Sequence, residues 1–215
     1  MATKRAKTIT KAQFEKLLKI VSKSDHALRD EVALRLSFFA GLRACEIAGL
    51  RWSNNLCDAT GAVSDTIHIT SDVAKRSVER FIPTEPKLLA LLTRLRRARP
   101  EDEYVFYALH NNQTPMVTVM QGKKKVRVPN PDFVLGRVSA NAVSQWFKRL
   151  YAQAEFEGCS SHSGRRTFVT ARARMANMKQ CSIRDVQVLA GHASLETTAA
   201  YIEPSEFQRD LVSAW

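Results

Sequence analysis

At 215 residues, 45% hydrophobic and 25% charged, the chain is long enough for one well-buried domain and too apolar for disorder to dominate. Its 33 lysines and arginines against 21 aspartates and glutamates leave a formal charge of +12, which selects a polyanion or an anionic surface as partner without choosing among DNA, RNA and lipid. No apolar run approaches the roughly 20 residues that span a bilayer, and the basic start Met1-Ala2-Thr3-Lys4-Arg5-Ala6-Lys7 leads into no apolar signal core, so neither a membrane reading nor secretion is indicated.

Thr10-Lys11-Ala12-Gln13 has the spacing of a capping box, and Phe14, Leu17, Leu18 and Val21 follow at helical intervals, which predicts a first helix. An apolar stretch over residues 32–39 stops at Gly41, and a further helix is expected from about Ala44 to Leu50, placing Arg43 at a helix junction. Residues 66–70 and 80–83 read as short strands around a polar segment that holds Lys75 and Arg76, hence a hairpin with Lys75 near its tip. A helix follows Thr84-Glu85-Pro86 with Leu88, Leu91, Leu92 and Leu95 inward, and Arg94, Arg96, Arg97 and Arg99 crowd its far end, where cations suit the helix dipole. Alternation over residues 117–128 on both sides of Gln121-Gly122-Lys123-Lys124 predicts a second hairpin with Lys123, Lys124, Lys125 and Arg127 around its turn. Those cations suit DNA contact and equally suit a solvated arm protected from edge pairing. From Ser139 on the pattern is helical: 140–154, 164–176, 182–190 with Gly191 as stop, and 195–202. Cys45, Cys57, Cys159 and Cys181 form no C-x-x-C pair, so neither a zinc site nor a disulfide framework is signalled. The expected fold is mainly α with small antiparallel β-sheet elements (α+β).

The last third carries His162-Ser163-Gly164-Arg165, then Leu189-Ala190-Gly191-His192, then Tyr201, while Arg43-x-x-Glu46 lies far upstream. Guanidinium groups fork onto phosphate oxygens, imidazoles exchange protons near neutral pH and a phenol can attack phosphorus, so the set suits phosphoryl transfer. Taken alone, Arg43 and Glu46 could be a surface i,i+3 pair, Lys75 an exposed charge on a turn, and Tyr201 ordinary packing.

In these residues the chain resembles the tyrosine recombinase (phage integrase-like) family from about Thr10 to about Tyr201. The first family motif reads Gly41-Leu42-Arg43-Ala44-Cys45-Glu46-Ile47-Ala48-Gly49-Leu50-Arg51-Trp52, and the second reads His162-Ser163-Gly164-Arg165-Arg166-Thr167-Phe168. The third is Leu189-Ala190-Gly191-His192, with Tyr201 at a fixed offset. Lys75, upstream of Ile82-Pro83, stands where family members carry the lysine of a β-hairpin. The resemblance implies site-specific recombination of double-stranded DNA through a 3′-phosphotyrosyl intermediate, with no cofactor and no metal. Tyr201 is then the nucleophile, Arg43 and Arg165 the phosphate clamp oriented by Glu46, Lys75 (or Arg76, if the register shifts) the acid for the 5′-oxygen, and His162 and His192 proton or hydrogen-bond partners. Arg76 and Arg166 are further candidates for DNA contact. The resemblance also implies assembly as dimers to tetramers on DNA, a possible accessory protein, no membrane, and the cytoplasm of a bacterium or phage-infected cell.

Two departures from the family pattern stand out. Gly164 replaces a commonly apolar residue, so looser packing of the Arg165 helix is expected. Only a basic tail, residues 1–9, precedes the catalytic unit 10–202, with no separate amino-terminal DNA-clamping domain expected. Residues 203–215 form a tail whose Phe207, Leu211 and Trp215 make an apolar stripe for a neighbouring copy or for the chain's own domain. Within the same chemistry a type IB topoisomerase is the near alternative, and a DNA-binding regulator of a full-length recombinase is the alternative from another class.

Overall fold

Helix α1, Lys11–Val21, begins where its capping residues place it: the Thr10 hydroxyl accepts from the Gln13 amide, and the Gln13 side chain accepts from the Thr10 amide. Phe14, Leu17 and Val21 form its buried stripe. The computed structural model describes residues 6–74, 78–107, 116–122, 124–129, 136–176 and 182–201. Lys75, Arg76, Lys123, Cys181 and the stripe Phe207, Leu211 and Trp215 lie outside them.

Helix α2, Ala27–Phe39, is the centre of the fold. It packs against α1, against α3 (Ala44–Gly49), against α4 (Pro86–Ala98) and against α6 (Ser163–Ala176), and its buried residues run almost without interruption from Val32 to Phe38. A helix enclosed on every side needs no polar face, which is why the sequence shows an apolar run there and no clear period. It starts five residues before that run, because its first turn is polar: buried Asp30 accepts from the Ser24 hydroxyl and from Arg29.

Gly41 then takes a left-handed φ of 65°, and a Cβ there would lie 2.5 Å from the Phe168 ring, so only glycine fits the turn that presents Arg43 as the N-cap of α3. After α3 the chain makes one π-helical turn, Trp52–Leu56, unannounced by the sequence. Buried Asn55 explains its place: its amide nitrogen donates to the His68 carbonyl and to Thr70 Oγ1, holding strand β1, Thr66–Ile69, against the helical body. Strand β2, Arg80–Pro83, pairs antiparallel with β1 in the register Ile69 with Arg80 and His68 with Phe81. Glu85 caps α4, with Pro86 at its first position.

The second hairpin is present, with β3, Met116–Gln121, pairing with β4, Lys124–Pro129, in the register Gln121 with Lys124. Its strands pack on each other and make no more than isolated contact with any other described element. Helix α5, Ala140–Gln153, capped by Ser139, lies on α3 through Val143, Phe147, Leu150 and Tyr151. Then come α6, α7 (Ile183–Ala190) and α8 (Leu195–Ala199). Helix α8 stops before the expected residue 202, leaving Tyr201 in a turn whose amide donates to the Thr198 carbonyl.

The expectation for Gly164 is reversed. A Cβ at this position would meet Ser37 Oγ at 2.3 Å and the Phe38 ring at 2.8 Å. The missing side chain brings α6 close against α2 and tightens the packing of the Arg165 helix.

Candidate active site

Arg43, at the N-cap of α3, is fixed from below by Glu46. Its backbone amide donates to Glu46 Oε2 at 2.8 Å and its Nη1 donates to Oε1 at 3.1 Å, while a quarter of the side chain (26%) remains open to the cleft. Glu46 itself is 0% exposed, so this is no surface ion pair. Burial pushes its carboxyl upward, but the hydrogen bonds and charge of Arg80, joined by Arg43, outweigh burial and hold it below the ordinary carboxylate value. Arg80, the inward residue at the start of β2, donates from both Nη atoms to the two Glu46 oxygens at 3.0 Å and from Nε to the Leu189 carbonyl at 3.1 Å.

Arg165, in the first turn of α6 and 3% exposed, donates to the Gly41 carbonyl at 2.7 Å and to the Ala190 carbonyl at 2.5 Å. Those two bonds tie α6 to the turns before α3 and after α7. Burial, then the nearby charge of Arg43, lowers its guanidinium to about 10, against which Glu46 pulls upward. Arg166 stands beside it, and its Nε is buried without a protein partner among the described residues. Two cations at a helix N-terminus oppose the helix dipole, and the first turn of α6 holds no acid to offset them, so this corner is arranged for an external anion.

His192 follows Gly191, the left-handed C-cap of α7 with φ 62°. Its Nδ1 is 2.9 Å from the buried Thr198 hydroxyl, and the Gln187 side chain donates to its carbonyl at 2.9 Å. Burial, then Arg165, Arg43 and Arg80, lowers the imidazole to about 4, so it is neutral at physiological pH. Its ring stacks on that of Tyr201, centroids 5.6 Å apart and planes at 20°. His162 stands exposed at the rim just before α6, its imidazole lowered by partial enclosure and then by Arg165 and Arg43.

These groups meet in one cleft of about 510 Å³, lined by Arg43, His162, Arg165, Arg166, His192 and Tyr201 together with small residues such as Ser160 and Ala200. The chain segments that supply them are widely separated in sequence, Arg43 lying more than a hundred residues before His162. The hairpin cations Lys124, Lys125 and Arg127 are exposed and do not line it. Sequence reasoning missed Arg80. The available signal was its place in Arg80-Phe81-Ile82-Pro83, where two-residue alternation puts it on the inward face with Ile82. Among the described residues no group of three or more His, Cys, Asp or Glu is placed to hold a metal, and no helix is long and apolar enough to cross a membrane.

The His192 shift makes one stability prediction. Its folded value lies below the ordinary 6.5, so the unfolded chain takes up the proton first as pH falls. The stability associated with the neutral ring is complete above about pH 6.5 and is lost progressively down to about 4. Urea denaturation at pH 7 and pH 4.5 should therefore show a smaller acid loss for His192→Gln than for the parent. Equal losses would show that the buried ring does not carry this dependence.

The model of the phage integrase family matches residues 7–207. The chain belongs to that family. Among curated proteins it is 23% identical over 186 residues to a tyrosine recombinase of Thermosipho africanus, covering 86% of this chain and 53% of that one. It is 27% identical over 174 residues to the tyrosine recombinase XerC of Xylella fastidiosa, covering 81% and 48%. The chain thus spans about half the length of these relatives. Its fold is shared with the XerA recombinase (TM-score 0.62, 17% identity, 96% of this chain and 64% of that one). It is shared equally with a lambda integrase dimer bound to a COC′ core site (TM-score 0.61, 18% identity, 100% and 51%).

Proposed function

We propose that residues 10–202 form the catalytic unit of a tyrosine site-specific recombinase that cuts and rejoins double-stranded DNA. The observation that carries this reading is the cleft: Arg43, Arg165 and Arg166 line it together with Tyr201, and the acid at hand, Glu46, is buried and already held by Arg43 and Arg80. Burial first, and then positive charge so concentrated, lowers Arg165, His162 and His192 together, and a bound phosphodiester would offset the part due to charge. Solved relatives include integrases and recombinases in complex with DNA, which agrees with this substrate.

In the proposed reaction Tyr201 Oη attacks the phosphorus while Arg43 and Arg165 stabilise the charge spreading over the non-bridging oxygens. The P–O5′ bond breaks, leaving a 3′-phosphotyrosyl ester and a 5′-hydroxyl. The phenolic proton passes to His162, neutral because its imidazole is lowered, and the departing 5′-oxygen takes a proton from Lys75. Neutral His192 donates a hydrogen bond to a phosphate oxygen while Thr198 orients its other nitrogen. The ester conserves the energy of the broken bond, so attack by another 5′-hydroxyl completes the exchange without a nucleotide. Two or four copies would act together on paired sites.

The test is trapping on nicked suicide DNA in EDTA. The parent should give a protein-DNA adduct on a denaturing gel, and native electrophoresis of the same mixture reads the number of copies bound. No adduct on any DNA bound tightly would overturn the reading.

The β3–β4 hairpin is proposed as an auxiliary DNA arm: Lys125 and Arg127 share one face with Thr118 and Met120, all exposed, and its described residues include no acid. Replacing Lys124, Lys125 and Arg127 by glutamine should make the dependence of log K on log salt shallower by about 0.9 for each phosphate that the arm no longer neutralises. An unchanged slope would leave the hairpin a solvated arm.

A further inference from the structure

Arg80 does not line the cleft, yet it is buried at 3% exposure and spends all three of its nitrogens on groups that do the aiming. We propose that Arg80 is the positioning residue of the site: through Glu46 it aims Arg43, and through the Leu189 carbonyl it fixes the turn that delivers His192. The proposal rests on the recombinase reading and adds the device that preorganises it.

Among the described residues, each Glu46 oxygen accepts from both Arg43 and Arg80. Oε1 accepts from Arg43 Nη1 at 3.1 Å and Arg80 Nη1 at 3.0 Å, and Oε2 accepts from the Arg43 amide at 2.8 Å and Arg80 Nη2 at 3.0 Å. With one Arg80 donor on each oxygen the carboxylate plane is set, and so is the direction in which Arg43 points. A lysine cannot reproduce this fork. On the other side Gly191 lies against the guanidinium: a Cβ there would come within 2.9 Å of Arg80 Cδ and Nη1. The neighbouring carbonyl of Ala190 accepts from Arg165, so Arg80 and Arg165 grip consecutive carbonyls of the same turn. Arg80 also opens β2 opposite Ile69, so the end of the β1–β2 ladder is pinned to the same point.

Ion pairing for its own sake would not need this geometry, since buried pairs are often replaceable by neutral groups at little cost in stability. Two variants of the full chain separate the roles: Arg80→Lys, and Arg80→Met combined with Glu46→Gln, which removes both buried charges together and so protects the fold. Both should bind nicked DNA as the parent does and form the Tyr201 adduct about 100-fold more slowly at saturating protein, the scale of loss that misplacement of about 1 Å produces. The neutral pair cleaving at the parental rate would overturn the proposal. A second readout needs no cleavage: histidine-labelled NMR titration of His192. Arg80→Lys keeps the cation that itself holds His192 down, so in that variant a midpoint raised from about 4 by at least about one unit reports a loosened turn that admits water to the ring. An unchanged midpoint in Arg80→Lys overturns the positioning role whatever the activity. A raised midpoint in Arg80→Lys when the parent forms no adduct upholds Arg80 and overturns the recombinase reading alone.

Discussion

A chain carrying Tyr201→Phe is expected to form no covalent adduct with nicked DNA while folding and binding as the parent does. The Tyr201 ring packs against the small cluster of Phe168, Val169, Val186 and Ala190 and stacks on His192. Phenylalanine preserves both contacts and deletes the single atom proposed to attack phosphorus. The cleft's other side chains include two imidazoles, one of them buried and bonded to Thr198, arginines whose guanidiniums are poor nucleophiles, and the hydroxyls of Ser160 and Thr197, which are engaged with the His162 amide and the Ser194 hydroxyl. The measurement is the adduct band at equal DNA occupancy. Its persistence would mean a different nucleophile, and its loss together with DNA affinity would mean that the hydroxyl holds the substrate instead of attacking it.

The parts of this molecule that were legible in the sequence are those in which local chemistry and tertiary structure agree. Thr10 and Gln13 announce α1, Gly191 announces the end of α7, and Gln121-Gly122 announces the turn of the second hairpin. Legibility fails where polar partners outside the apolar pattern place an element, whether they are near or distant in sequence. The first turn of α2 is polar because Asp30 is satisfied by Ser24 and Arg29, a local network that no apolar period reports. The π-helical turn exists because Asn55 reaches the β1 backbone thirteen residues on. Arg43, His162, Arg165, His192 and Tyr201 could be picked out together only because motif spacing joined them; nothing in their local sequence says that they share a cleft. Arg80 shows the limit of that approach, since a buried arginine is recognised by the carboxylate it meets, here thirty-four positions away.

Gly164→Leu is expected to destabilise the protein by about 3 kcal/mol or more, at the upper end for overpacking, although propensity alone argues the other way. Within a helix leucine is favoured over glycine by somewhat less than about 1 kcal/mol, and the family pattern itself leads one to expect an apolar residue here. Packing decides the sign. A Cβ would sit 2.3 Å from Ser37 Oγ and 2.8 Å from the Phe38 ring; the ring borders a surface cleft, but Ser37 is fully buried, so the nearer contact cannot be relieved into open space. The remaining freedom is for α6 to lift away from α2, which carries Arg165 off the carbonyls of Gly41 and Ala190 and should slow DNA cleavage as well. Ser37 supplies the control. Its hydroxyl is buried without a hydrogen-bond partner among the described residues, so Ser37→Ala should cost little by itself, and it removes the nearest clashing atom. Denaturation of Gly164→Ala with and without Ser37→Ala should therefore give a favourable coupling energy, and Gly164→Leu should remain the least stable of the set. Should Gly164→Leu melt at or above the parent, the close approach of α6 to α2 is not what glycine provides, and the looser packing expected from the sequence becomes the better account.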